Sequence, residues 1–258
     1  MISKHAIIDP TAKIAADVTI GAYTIIGPEV EIASGTWVGP HVVINGPTKI
    51  GKDNKIFQFA SVGEDPQDLK YHGEKTYLQI GDRNTIREFC TIDRGTVDDH
   101  SITTIGNDNL FMSYVHIAHD CCIANHTIFA NNATLAGHVK VNDYAILGGF
   151  AAVYQFCQLG VHCFVSGGTL VIKDVPPFVK VSGKDTYAKP FGLNSVGLQR
   201  YGFDAKTRTL LKRAYKIIYR EGLTTDEAIK KLQTMTTECP EIDLFIKTLT
   251  TAKHGIVR

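Results

Sequence analysis

Ile105 to Val171 reads IGNDNLFMSYVHIAHDCCIANHTIFANNATLAGHVKVNDYAILGGFAAVYQFCQLGVHCFVSGGTLV, and every sixth residue is aliphatic or Phe. The beat runs Ile105, Phe111, Ile117, Ile123, Phe129, Leu135, Val141, Leu147, Val153, Leu159, Val165, Val171. Upstream the same count holds from Ile8 through Ile14, Ile20, Ile26, Ile32, Val38, Ile44, Ile50 and Ile56 to Val62, and returns at Ile80, Ile86 and Ile92. A six-residue period is too short for a helix pair or a propeller blade and matches the hexapeptide repeat of a parallel β-helix. Two positions before each beat lies a second slot of small or β-branched residues, such as Val18, Thr24, Val42, Ala60, Val115, Ala133 and Ala151. Side chains two apart on a strand share a face, so both slots are read as inward. The residue after the beat is often glycine, as at Gly21, Gly39, Gly51, Gly106 and Gly160. Those glycines are expected to supply φ > 0 at the corners.

Spacing does not fix handedness, but the pattern resembles the left-handed β-helix of the hexapeptide-repeat acyltransferases, in which three hexads make one triangular coil. The fold class expected is therefore an all-β left-handed parallel β-helix over residues 1–183, followed by a small α-helical domain over 184–258. In that tail, Asp204 is placed as the N-cap of a helix that ends with Gly222 at C′. Thr224 and Glu227 form a capping box for a second helix, and Pro240 fits the first turn of a third, carrying Ile242, Phe245, Ile246 and Leu249.

The formal net charge of the 258 residues is +1, which gives no global pull toward nucleic acid or a membrane surface. Asp204 to Gly222 differs, with six bases (Lys206, Arg208, Lys212, Arg213, Lys216, Arg220) against two acids (Asp204, Glu221). That stretch reads equally as a solvated helix face or as a surface for an acidic partner. Four of the six cysteines, Cys90, Cys121, Cys157 and Cys163, fall in the small inward slot, where free Cys acts as a small hydrophobe. With no C-x-x-C pair and no secretory apolar opening, a cytoplasmic location is expected. Tyr144 to Ile172 is apolar enough to imitate a membrane helix, yet it keeps the beat and contains Gln155, Gln158 and His162, so no transmembrane segment is expected.

The frame breaks twice, at Glu64–Glu74 and at Arg94–Ser101, and interruptions of a rigid repeat are where function concentrates. Just downstream lies His116-Ile117-Ala118-His119-Asp120, with His138 eighteen residues after Asp120. Coils stack about 4.8 Å apart, so His119 should lie over Gly137, Asp120 over His138, and Gln155 one coil further. An imidazole, a carboxylate to orient it and a bare glycine amide are the parts of general-base catalysis with an oxyanion donor. Two other readings share those residues: plain polar surface, and a zinc site of His116, His119 and His138 as in hydratases of the γ-carbonic anhydrase type.

Several motifs carry a closer resemblance: His116-Ile117-Ala118-His119-Asp120-Cys121, Asn131 through His138, Gln67-Asp68-Leu69-Lys70-Tyr71, Asp174-Val175-Pro176-Pro177, and Pro190-Phe191-Gly192-Leu193-Asn194. Together they resemble the bacterial UDP-N-acetylglucosamine O-acyltransferases that open lipid A biosynthesis. The resemblance implies transfer of a 3-hydroxyacyl chain from acyl carrier protein to the glucosamine 3-hydroxyl, without cofactor or metal, in a homotrimer. It implies His119 as general base, Asp120 as its partner and Gly137 as oxyanion donor. Asp68, Lys70, His116, His138 and Gln155 match positions that bind the sugar nucleotide or line its cleft, and Asn194 and Arg200 match positions near nucleoside and phosphates. Ser166 and Gly167 match positions along the acyl groove, where glycine at 167 points to a long chain. Acyl carrier proteins are acidic, so the basic tail helix becomes a docking surface by the same analogy. Tyr154 stands where several relatives carry His, and Val196 and Tyr201 where charge is common. An N-acyltransferase acting on an aminosugar nucleotide uses the same parts and is the nearest alternative.

Overall fold

The computed structural model describes residues 1–183 and 187–258. The beat becomes a left-handed three-sided prism whose faces are parallel sheets. Face one begins with Ile7–Ile8, face two with Lys13–Ile14 and face three with Thr19–Ile20, and each returns one coil later. Ile7 pairs with Ile25 and Ile8 with Ile26, a step of eighteen residues. From Ile20 onward the beat residues are buried along the axis, with Ile8 and Ile14 partly buried at the open first coil, and Phe111 and Phe129 pack at a tilt with ring centroids 5.1 Å apart.

The inner slot holds something the hydrophobic reading passed over. At positions 54, 84 and 109 it is asparagine, and each amide donates to the backbone of a neighbouring coil: Asn54 to Gly81 O at 2.8 Å, Asn84 to Gly106 O at 2.9 Å, Asn109 to Ala124 O at 2.9 Å. The buried Thr24 and Thr36 hydroxyls donate to Gly39 O and Gly51 O in the same way. These polar side chains are inward because they satisfy corner carbonyls that no water reaches.

The corner chemistry also differs from expectation. Positive φ falls three residues after the beat, on Tyr23, His41, Phe59, Asp120, His138, Phe156 and their equivalents. Of the glycines directly after the beat, Gly63 has φ +77, but Gly21 and Gly160 do not use that region. A Cβ on Gly21 would lie 2.4 Å from Pro40 N, and one on Gly160 2.3 Å from Pro177 N, so glycine there serves the close approach of successive coils.

In the tail, Lys189–Leu193 adds an antiparallel strand to face three, and α1 (Ser195–Arg200) follows from Asn194; neither was expected. Then come α2 (Ala205–Tyr219), α3 (Thr225–Gln233) and α4 (Ile242–Thr251). Asp204 caps α2 through Thr207 N, and the Thr224–Glu227 capping box on α3 is complete. Two termini shift: Arg220 is the C-cap of α2, with Gly222 at φ +69 beyond it, and Pro240 precedes the N-cap Glu241 of α4. Leu211, Ala214, Ile217 and Ile218 turn inward, and the bases of α2 take the outer side.

Phe129→Ala should cost about 3–5 kcal/mol, the usual range for emptying a buried Phe. A fall in the chemical-denaturation midpoint checks it, and a change under 1 kcal/mol would mean that the axis is not close-packed.

Candidate active site

Both frame breaks leave the prism at one edge, where face one turns into face two. Ile50 pairs with Ile80, a step of 30 rather than 18, and Ile80 with Ile105, a step of 25. The loops 64–74 and 94–101 therefore project one above the other. Arg94 laces them: its buried guanidinium reaches Asp65 and donates to Tyr71 Oη at 3.2 Å. Lys70 and Asp98 add a surface pair at 3.5 Å.

The next coils turn the same corner with Ala118-His119-Asp120, then Ala136-Gly137-His138, then Tyr154-Gln155-Phe156. Stacking is as the spacing requires. His138 N donates to His119 O at 3.0 Å and Phe156 N to Gly137 O at 3.2 Å. The His119 ring covers Gly137 so closely that a Cβ there would meet Cε1 at 2.5 Å and Nε2 at 2.7 Å. Gly137 N–H has no hydrogen-bond partner among the described residues.

His119 Nδ1 lies 2.9 Å from Asp120 Oδ2. The Asp120 side chain is 1% exposed, and its carboxylate accepts from Thr96 N at 3.0 Å and Thr96 Oγ1 at 2.7 Å. Burial pushes this carboxyl up, but the bonds from His119 and Thr96 outweigh it and hold the group below its ordinary value. The hydrogen bond to Asp120 raises His119 against the opposing effect of burial. With Nδ1 committed to Asp120, Nε2 is the nitrogen free to exchange a proton. His138 stands edge-on to His119 at 5.1 Å, stacks on Phe156 at 4.5 Å and meets Asp99 Oδ2 through Nδ1 at 3.0 Å.

A cleft of about 970 Å³ joins Gln67, Asp68, Lys70, Asp98, Asp99, His119, His138, Gln155 and Phe156, and continues to Lys140, Gln158, Asp174, Lys253 and His254. His116 sits on face one with Nδ1 2.7 Å from Thr91 Oγ1, and burial lowers its pKa. Among the described residues, the donor atoms that gather within 4.8 Å belong to His119, Asp120 and His138, so the proposed three-histidine set does not converge.

The remaining candidates lie on other edges. Ser166 and Gly167 stand at the corner from face three to face one, and Gly167 is exposed. Asn194 lies beside the corner from face two to face three, its amide donating to His162 O at 3.0 Å and its Oδ1 accepting from Gly197 N. Arg200 is exposed on α1, while Tyr201 packs against Tyr144 and His162. Sequence reading missed Thr96, Asp99 and Asp93. Asp93 ends the face-one strand Thr91–Asp93, is 2% exposed, and is raised by burial to about 6, with Gln67 as its hydrogen-bond partner at 3.5 Å. Thr96 and Asp99 lay inside a recognised frame break, but nothing in their spacing singled them out.

Residues 174–257 match the family described as UDP N-acetylglucosamine O-acyltransferase, domain 2, and residues 102–137 match the bacterial transferase hexapeptide. The acyl-[acyl-carrier-protein]–UDP-N-acetylglucosamine O-acyltransferase of Stutzerimonas stutzeri is 52% identical over 258 residues, covering 100% of this chain and 99% of that one. The chain belongs to this acyltransferase family. The solved LpxA of Acinetobacter baumannii is 48% identical with a TM-score of 0.97 over 100% of this chain and 99% of that one. The UDP-N-acetylglucosamine acyltransferase of Francisella novicida is 41% identical with a TM-score of 0.98, covering 100% and 94%. Family membership thus meets the chemistry of the edge.

The His119–Asp120 pair titrates with two signs. The raised His119 contributes stability that is full below its unfolded pKa and is lost as pH rises through its folded value. The lowered Asp120 contributes stability present above its unfolded pKa and lost as pH falls through its folded value. In Asp120→Asn the raising influence on His119 disappears while burial remains, so an NMR titration should find the His119 pKa lower than in wild type. An unchanged value would break the link drawn between the two side chains.

Proposed function

We propose that this chain transfers a 3-hydroxyacyl group from acyl carrier protein to the 3-hydroxyl of UDP-N-acetylglucosamine, the first step of lipid A biosynthesis. The carrying observation is His119, paired to a buried carboxylate through Nδ1 and laid against Gly137. His119 Nε2 accepts the hydroxyl proton as the sugar oxygen attacks the thioester carbonyl. Gly137 N–H, otherwise unspent, donates to the resulting oxyanion, a contribution of about 3 kcal/mol for one such donor. The C–S bond then breaks, and the imidazolium returns its proton to the departing thiolate. Asp120 holds the tautomer and stabilises the transient imidazolium. Asp68 and Lys70, projecting from the first loop, hold the sugar nucleotide beside His138 and Gln155. The relatives' printed activity is O-acylation, which favours this reading over N-acylation of an aminosugar nucleotide.

The working form we propose is a homotrimer. Its support is the distribution of residues over three edges: His119 on one, Ser166 and Gly167 on a second, and Asn194 and Arg200 near the third. No single prism brings these together, whereas neighbours packed side by side would. The second edge also carries an exposed aromatic column, with Tyr23, Phe59, Phe89, Tyr114 and Phe150 each at least 43% exposed. Apolar surface of that extent is normally covered by a partner. Residues 1–183 are taken as the prism and the C-terminal part as a helical unit joined to it through the strand Lys189–Leu193, residues 184–186 lying outside the described residues; α2 and its C-cap present Lys212, Arg213, Lys216 and Arg220 to an acidic carrier. A cytoplasmic location is supported by six free cysteines, and no helix among the described residues is long and apolar enough to cross a membrane.

His119→Ala should lower kcat/KM for acyl transfer to UDP-N-acetylglucosamine at least ~100-fold, the low end for a positioned base. Wild-type activity should climb with pH as His119 loses its proton, and a chelator should leave it unchanged. Retention of activity in the variant, or transfer to the 3-amino acceptor alone, would overturn the assignment.

A further inference from the structure

The cleft does not end at His138 and Gln155. The face-two strand Lys140–Val141 begins two residues past His138 and places Lys140 in register with Gln158. Gln158 N in turn donates to Asp174 Oδ1 at 2.8 Å. The C-terminal segment is pinned across this point by its backbone, Asp174 N donating to Gly255 O at 3.3 Å and Val257 N to Asp174 O at 2.9 Å. That bridge turns Lys253 and His254 into the cleft.

The two ends therefore differ in charge. Asp68, Asp98 and Asp99 crowd the loop end, where Lys70 pairs with Asp98 and His138 with Asp99. At the other end Lys140 and Lys253 have no carboxylate within 4.0 Å among the described residues. The acid there is Asp174, 5% exposed, raised by burial and occupied by the Gln158 amide. Two uncommitted ammonium groups and an imidazole at the mouth of a polar cleft are a receptor for a compact anion.

We propose that Lys140, Lys253 and His254 form a phosphate-ester site at the C-terminal end of the catalytic cleft. Resting on the acyl-transfer reading, this phosphate has two sources: the phosphodiester of the phosphopantetheine arm that carries the thioester, or the diphosphate of the sugar nucleotide. The arm fits the layout better. The acceptor loop with Asp68 and Lys70 lies at the opposite end, so a donor entering from the helical domain would cross Lys140 before its carbonyl reaches Gly137.

The test is direct binding by titration calorimetry to wild type and to the Lys140→Ala/Lys253→Ala double variant, whose replaced side chains are exposed and outside the core. The probes are 3-hydroxyacyl-4′-phosphopantetheine, the same acyl chain on unphosphorylated pantetheine, and UDP-N-acetylglucosamine. Removing two charge-assisted contacts should weaken the phosphorylated donor about tenfold and leave the pantetheine thioester unchanged. The loss should shrink as salt is raised. A loss on UDP-N-acetylglucosamine alone would support the site and assign it to the nucleotide diphosphate. Equal affinities of both proteins for all three probes would overturn it. Because binding is read without turnover, a wild type that binds through these lysines yet transfers no acyl group would count against the acyl-transfer reading alone.

Discussion

The hydrogen-bond ladder between successive coils is the constraint on which everything else rests. Ile7 to Ile25, His116 to Thr134 and Thr134 to Ala152 all step by eighteen residues, and each step repeats the same corner at the same height interval. A parallel ladder tolerates no slip here, because a shift of one residue would turn the whole aliphatic set outward. His119 is consequently positioned by backbone rather than by side-chain packing alone. Its carbonyl accepts from His138 N, and the Gly137 carbonyl accepts from Phe156 N, so three coils move as one piece.

Such rigidity has to be reconciled with corners that strain an ordinary residue. Asp120, His138 and Phe156 all adopt φ near +60, a region disfavoured for residues with a Cβ. The carboxylate of Asp120 is held there by Thr96, and His138 by stacking on Phe156 and by Asp99. Strain is tolerated where surrounding contacts over-determine it. The same conformation recurs at corners on another edge such as Tyr23 and His41, so positive φ here belongs to the prism, and what distinguishes the His119 edge is the side chains mounted on it.

Much of this was legible in sequence because a β-helix writes its geometry in a fixed period. Strand positions, the inward slots, the stacking of His119 on Gly137 and the shared origin of the two loops all follow from counting. What escaped counting has identifiable physical causes. Asn54, Asn84 and Asn109 are polar yet interior, and only the position of unpaired corner carbonyls explains them. The glycines after the beat were assigned a dihedral role, whereas a close pass of the next coil's backbone requires most of them. Thr96 and Asp99 act through loop conformation, which no periodicity encodes. In the tail, Lys189–Leu193 forms a strand only because the open edge of Val179–Ser182 offers it a partner.

The separation of candidate residues onto three edges has a consequence for how the site can evolve and fail. An edge can be altered without disturbing the axis wherever its corner side chain is exposed, as at Tyr154, because the beat residues pack along the core. Tyr154 and Val196 are exposed, so change there leaves folding energy nearly untouched and acts on whatever lies against that surface, whereas Tyr201 packs against Tyr144 and His162. Asn194 is likewise held from within. Its amide and carbonyl are already spent on His162 and Gly197, so it joins the strand Lys189–Leu193 to α1 and fixes how the helical unit meets the prism. A contribution from Asn194 to nucleotide binding would therefore have to come after release of one of those bonds, or through the placement of Arg200 six residues on. The second route needs no rearrangement of a buried amide, and the fold favours it for that reason.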